Sequence, residues 1–235
     1  MDLPVINRSK PIMGKLDGSE RIICVPAQAL KAAGGLSGFL GGRNDVLYLL
    51  DRVLPHAQVR PRTESLESDP SWLQLIAYGV LTCKGKVFAY RRRKAGTEGR
   101  LHGKASLGIG GHVEARDARG LTVADFPMIT VTNSMTREID EEVAPAGAMS
   151  LRIAGILHDD REPARDGKVP VGLVHLGIVY EIKLGSEAIT PAAEIEPLGW
   201  LDPGDLMDAK GMEWESWSGL LVDQWLPSLA SSPVG

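Results

Sequence analysis

The stretch that most constrains this chain is SLGIGGHVEARDARGLTVADFPMITVTNSMTREIDEEV, Ser106 to Val143. A short apolar run reaches the pair Gly110-Gly111, crosses a charged loop and ends in a helical pattern. Asp125 stands where an N-cap belongs, and Pro127 falls in the first turn, where its missing N–H is tolerated. Met128, Val131, Met135, Ile139 and Val143 recur at three- and four-residue spacing, an apolar stripe that seats the helix on a core. Glu138, Glu141 and Glu142 stand at i, i+3 and i+4. At about 100° per residue they share one side of the helix, beside the stripe.

Three like charges on one helical side repel one another, and at low dielectric at least one binds a proton unless a cation is present. A hard divalent cation resolves the conflict, because Mg²⁺ prefers carboxylate oxygens and retained water. Glycine lets backbone approach a ligand closely, so a carbonyl at Gly110 could complete the metal shell. Such a site suits phosphoryl chemistry, since the metal screens phosphate charge and acidifies a bound water. An EIDEE helix by itself also fits a solvated acidic face. The glycine pair and the apolar run before it favour the metal reading.

Around this unit the chain reads as α/β. ERIICVP is a predicted strand and AQALKAA a short helix closed by Gly34-Gly35. DVLYLLDRVL fits either type, because a short apolar run does not settle the period. These form an expected N-terminal α/β extension, residues 1–54, followed by a Pro-, Ser- and charge-rich linker, 55–71, and a main domain, 72–230. In the main domain LQLIAYGVLTC reads as a strand buried on both faces, with VFAYRRR as its hairpin partner. SLRIAGILH and VGLVHLGIVYEIKL form a second predicted hairpin. Val174, Leu176, Ile178, Tyr180 and Ile182 alternate onto one face, a half-buried pattern. A Trp-rich helix is expected from Gly211 to Leu226, with Trp214, Trp217, Leu221 and Trp225 as packing residues.

Several classes lose support. The chain has no apolar run of about 18 residues, so no membrane-spanning helix is expected. The first residues contain no apolar secretion signal. Cys24 and Cys83 lie far apart in no metal-ligand spacing, which points to a reducing cytoplasm. A net charge of −4 gives no sign of a nucleic-acid partner. There is no complete dinucleotide fingerprint, P-loop or GxSxG elbow.

The Ser106–Val143 segment resembles the Nudix box, G-x5-E-x7-R-E-U-x-E-E-x-G-U with U aliphatic. REIDEEV, Arg137 to Val143, fits the core of that pattern, and Gly111 fits its opening glycine. Asp117 stands where the pattern has Glu, about twelve extra residues precede Arg137, and Ala144 replaces the late glycine. The flanks DPSWLQLIAYGVL, RLHGKASLGIGGHV and ESWSGLLVDQWL resemble a bacterial Nudix subgroup labelled predicted phosphoesterases, with an expanded box beginning GGH.

The resemblance implies an α/β/α sandwich with a mixed sheet. It implies Mg²⁺ or Mn²⁺ held by Glu138, Glu141 and Glu142 with the Gly110 carbonyl. Arg137 would orient the acids by a salt bridge, and Asp117 would take the orienting loop-acid role. The general base varies in the family, and Glu138, Glu162, Glu194, Glu196 and Glu215 are all candidates, Glu215 favoured slightly by its place in the ESWS match. The basic run Arg91–Arg92–Arg93–Lys94, followed by Arg100, His102 and Lys104, could hold phosphates or simply protect an edge strand. Alternation lets at most half of the run face a cleft, with Arg91 and Arg93 the expected pair and His112 a further substrate contact. His158 and His175 are expected to be structural.

The expected activity is a metal-dependent pyrophosphohydrolase acting on a small-molecule diphosphate, typically a nucleoside diphosphate derivative. The N-terminal part is expected to pack beside the core or complete a homodimer interface. Two rivals are a nucleotide-sensing module without turnover and an enzyme like the isoprenoid diphosphate isomerases. The intact REIDEE core argues against the first, and the contexts of Cys24 and Cys83 argue against the second.

Overall fold

The structure is a computed structural model describing residues 17–93, 103–123, 127–161 and 169–230. The order is β1 (Asp17–Pro26), α1 (Ala27–Ala32), β2 (Gly38–Gly41), α2 (Arg43–Val53), β3 (Gln58–Thr63), β4 (Trp72–Cys83), β5 (Lys86–Arg92), β6 (Ala105–Ser106) and β7 (Gly108–His112). Then come α3 (Pro127–Glu142), β8 (Met149–His158), β9 (His175–Leu184), β10 (Ile195–Leu201), α4 (Pro203–Met207), α5 (Ser216–Gln224) and α6 (Leu226–Ala230).

One mixed sheet runs β10-β5-β4-β9-β8-β2, with β1 and β7 also pairing to β4, β6 to β5 and β3 to β1. β4 is the hub. Its continuous apolar run suits a strand with neighbours along both edges and helices over both faces. It pairs in parallel with β9 from Gln74↔His175 to Thr82↔Lys183, and antiparallel with β7 from Ile76↔His112 to Val80↔Gly108. The two predicted hairpins form, β4 with β5 and β8 with β9.

Helices cover the two sheet faces, giving the α/β/α layering. On one face Leu75, Ala77, Ile109, Val113, Leu176 and Ile178 pack with Val131, Met135, Ile139 and Val143 at α3. Those four are fully buried, each contributing about 1.5–3 kcal/mol of transfer free energy. The stripe therefore fixes which way the box acids face. On the other face Tyr78, Val80, Leu107 and Val179 pack with Trp217, Leu221 and Trp225.

Three local expectations change. Residues 55–71, read as linker, hold β3, a 3-10 turn at Leu66–Ser68 and most of another at Leu54–His56, and among the described residues β3 is a sheet edge paired only with β1. An edge strand accepts Pro61 and polar side chains, which is why its composition looked like linker. β1 itself aligns Cys24 with Gln74 of β4, and Val46, Leu49, Leu50 and Val53 of α2 share the core under α3, so the N-terminal segment is built into this sheet. β9 is buried on both faces from His175 to Tyr180, not half-buried, because α5 covers the side opposite α3. The Trp-rich helix begins later than expected, at Ser216, and breaks before α6. Asp125, the expected N-cap of α3, lies outside the described residues.

Candidate functional site

The site forms where β7 passes α3. Alternation along β7 turns Ile109, Gly111 and Val113 toward α3. A Cβ on Gly111 would lie 2.8 Å from Glu138 Oε1, so the missing side chain is what lets that carboxylate rest against the strand. Gly110 is more constrained: its φ is +146°, and a Cβ there would lie 1.9 Å from the Ala77 carbonyl oxygen. This backbone accepts only glycine.

Arg137 is the organising side chain. Its Nε and Nη2 donate to the two Asp117 carboxylate oxygens at 2.8 and 2.9 Å, a bidentate pair. Its Nη1 donates to Glu138 Oε1 at 2.6 Å and reaches Glu141 Oε2 at 3.4 Å. Nη2 also donates to the His112 carbonyl at 3.2 Å. Asp117 sits in a 3-10 turn, Ala115–Ala118, and accepts the Glu114 N–H at 2.9 Å. Asn133 Nδ2 donates to the Asp117 carbonyl at 2.9 Å, tying the loop to α3.

Burial raises the Asp117 carboxyl, but Arg137 and the Glu114 N–H outweigh it and hold it below the usual carboxylate range. Burial likewise opposes the Arg137 charge, and Asp117 and Glu138 more than offset it, lifting the guanidinium above its ordinary value. Asp117 therefore occupies the place of the pattern's Glu and grips the arginine from the loop. Ala144 has φ +34°, in the left-handed region, and its N–H closes the helix on the Ile139 carbonyl at 2.9 Å. A glycine suits that conformation, and alanine adopts it here without losing the cap.

Glu138 and Glu142 are buried, while the Glu141 side chain is 35% exposed. Among the described residues no set of three His, Cys, Asp or Glu side chains already converges at metal spacing. Glu138 instead pairs with Arg137. The donors present are hard oxygens on one helix beside a glycine carbonyl strand, a donor set that fits a hard divalent cation.

The other expected residues separate. The His112 ring points to the sheet face away from α3, with Nε2 2.8 Å from Gln74 Oε1 and 3.2 Å from His175 Nε2; only its carbonyl joins the Arg137 hub. His175 Nδ1 lies 2.6 Å from the Val171 carbonyl, and His158 Nδ1 lies 2.9 Å from the His175 carbonyl, so both make structural bonds. Arg91 Nη1 donates to the Gly103 carbonyl at 3.1 Å, and Arg93 pairs with the exposed Glu196 at 3.7 Å. Neither contact reaches the box acids. Lys94, Arg100, His102 and Glu162 lie outside the described residues.

Glu215 is buried, and its Oε1 accepts hydrogen bonds from Tyr78 at 2.6 Å, Ser106 at 2.9 Å and Ser218 at 2.8 Å. Ser218 Oγ also accepts the Leu107 N–H at 2.8 Å, so this network pins α5 to the sheet. Sequence reasoning missed Tyr78, Ser106 and Ser218, which converge only across three elements. Asn133 and Ser134 were legible in principle, one turn before Arg137 on the same helix.

An α/β/α sandwich with an arginine–carboxylate hub under a glycine strand defines a class of protein. No protein-family model matches the chain. Protein YmaB of Bacillus subtilis (strain 168) is 32% identical over 167 residues, 69% of this chain and 75% of that protein. The crystal structure of Tm1382, classed as a Nudix hydrolase, superposes with a TM-score of 0.65 at 26% identity, covering 89% of this chain and all of that one. DR0079 from Deinococcus radiodurans gives a TM-score of 0.45 at 18% identity over 64% of this chain and 82% of its own. The chain belongs to the Nudix hydrolase family, whose members are hydrolases acting on phosphorus-containing anhydrides. Among the described residues no helix is long and apolar enough to cross a membrane.

Proposed function

We propose that the protein is a Mg²⁺- or Mn²⁺-dependent pyrophosphohydrolase that cleaves a diphosphate linkage in a small molecule, typically a nucleoside diphosphate derivative. The observation that carries this reading is the Arg137 hub, which grips Asp117 from the loop and Glu138 and Glu141 from the helix beside Gly111.

Glu138, Glu141, Glu142 and the Gly110 carbonyl would hold the metal, which when bound neutralises diphosphate charge and acidifies water. Arg137 orients Glu138 and Glu141 through its Nη1, and Asp117 keeps Arg137 in place. Glu138 is the favoured proton acceptor among the candidate bases. It borders the glycine strand, whereas Glu196 is engaged by Arg93 at the surface and Glu215 Oε1 is filled by three hydroxyls. The departures at Asp117 and Ala144 speak for retained catalysis over mere nucleotide sensing, since each residue still fills the geometric role of the box position it occupies.

The test is phosphate release from nucleoside triphosphates, nucleotide sugars, ADP-ribose, dinucleoside polyphosphates and NADH, with Mg²⁺ or Mn²⁺ and a coupled phosphatase. Turnover that needs metal and disappears in Glu141→Gln/Glu142→Gln is the expected result. Nucleotide binding without turnover on any of these compounds would favour a sensor.

A further inference from the structure

Arg92 is the member of the basic run that lies on the box side of the sheet. Alternation along β5 puts Phe88, Tyr90 and Arg92 on one face, and Phe88 and Tyr90 belong to the core under α3. The register brings Arg92 close to the last box acid. Arg92 pairs with Ile195, the Ile195 N–H donates to the Ala192 carbonyl at 3.0 Å, and the Ala192 N–H donates to the Glu142 carbonyl at 2.7 Å.

Toward the other edge, Tyr90 pairs with Ser106, whose hydroxyl donates to Glu215. Arg92 thus stands between the last box acid and the buried carboxylate at the start of α5. Burial opposes its charge, and the neighbouring Tyr90, Glu215 and Glu142 more than offset that, keeping the guanidinium firmly charged. Its Cζ lies 5.6 Å from the Tyr90 ring centre, and its Nε is buried without an acceptor among the described residues. A buried charged donor without an acceptor is costly to leave so, and an incoming anion satisfies it.

We propose that Arg92 is a substrate-binding residue that takes a non-bridging oxygen of the diphosphate and clamps it against the box acids. The inference rests on the hydrolase reading above. Cations bound at Glu142 would cancel much of that carboxylate's pull on Arg92, leaving the guanidinium fork to the phosphate, whose geometry it matches.

The test uses imidodiphosphate, whose P–N–P bridge resists hydrolysis, titrated into protein with and without Mn²⁺, alongside Mn²⁺ titrated alone. Arg92→Gln is expected to weaken imidodiphosphate binding about 10–100-fold with Mn²⁺ affinity unchanged. Arg92→Lys should recover part of the loss. On any compound that turns over, Arg92→Gln should raise KM more than it lowers kcat. Should Arg92→Gln fail to fold, Arg92→Lys carries the test, with weakened binding that lysine's charge only partly restores. Unchanged imidodiphosphate affinity in both variants overturns the proposal. So does an equal loss of Mn²⁺ affinity, which would make Arg92 a prop for Glu142. A wild type that binds Mn²⁺ but no imidodiphosphate also overturns it while leaving the metal site standing, and a wild type that binds neither defeats the hydrolase reading itself.

Discussion

Asp117→Asn isolates the grip on Arg137 with a change of one atom. Asp117 has 4% of its side chain exposed and Arg137 has 15%, so the pair is largely out of water. Breaking one side of a buried ion pair costs about 3–5 kcal/mol when the remaining charge has nothing else. Arg137 keeps Glu138 at 2.6 Å and Glu141 at 3.4 Å, which lowers the expected loss to about 2–3 kcal/mol. For a chain of this size that corresponds to a Tm about 5–10 °C lower.

The pH dependence carries the sharper signature. A depressed carboxyl contributes stability that is fully present above its unfolded pKa, near 3.9, and lost as pH falls through its lower folded value. Urea midpoints of wild type and Asp117→Asn should therefore differ by a constant amount from pH 7.5 down to about 5, and converge only below about 4. Catalytic turnover should fall as well, since the guanidinium that orients Glu138 loses its bidentate anchor. A difference smaller than about 0.5 kcal/mol at pH 7.5, or one that closes near neutrality, would refute the reasoning.

Two further substitutions probe the box backbone. Gly111→Ala puts a Cβ 2.8 Å from Glu138 Oε1, forcing that carboxylate off Arg137; Mn²⁺ affinity by calorimetry should fall about tenfold with the fold retained on circular dichroism. Ala144→Gly relieves a left-handed alanine but adds unfolded-state entropy, so the net expectation is a gain of about 0.5–1 kcal/mol in urea unfolding.

Much of the candidate site was legible because the helix encodes it locally. The stripe from Met128 to Val143 and the spacing of Glu138, Glu141 and Glu142 depend only on about 3.6 residues per turn, and the α3-side core confirms the stripe. The hairpin β4–β5 was equally readable, because a short turn joins partners adjacent in sequence. The pattern could not say which strand face of VFAYRRR meets the box. It pointed to Arg91 and Arg93, and the sheet register turned Arg92 to that side.

The same limit governs β3 and His112. β3 looked like linker because an edge strand tolerates proline and charge, and only its pairing with β1 reveals it. His112 is adjacent in sequence to the glycines, yet the pleat sends its ring to Gln74 and His175 and only its carbonyl to Arg137. By itself the sequence determined the box helix, its acids and the glycine strand before it, since those follow from local periodicity and backbone sterics. Which side chains join that helix from distant strands was decided by the tertiary structure alone, because a shift of one residue in register turns every side chain of a strand to the opposite face.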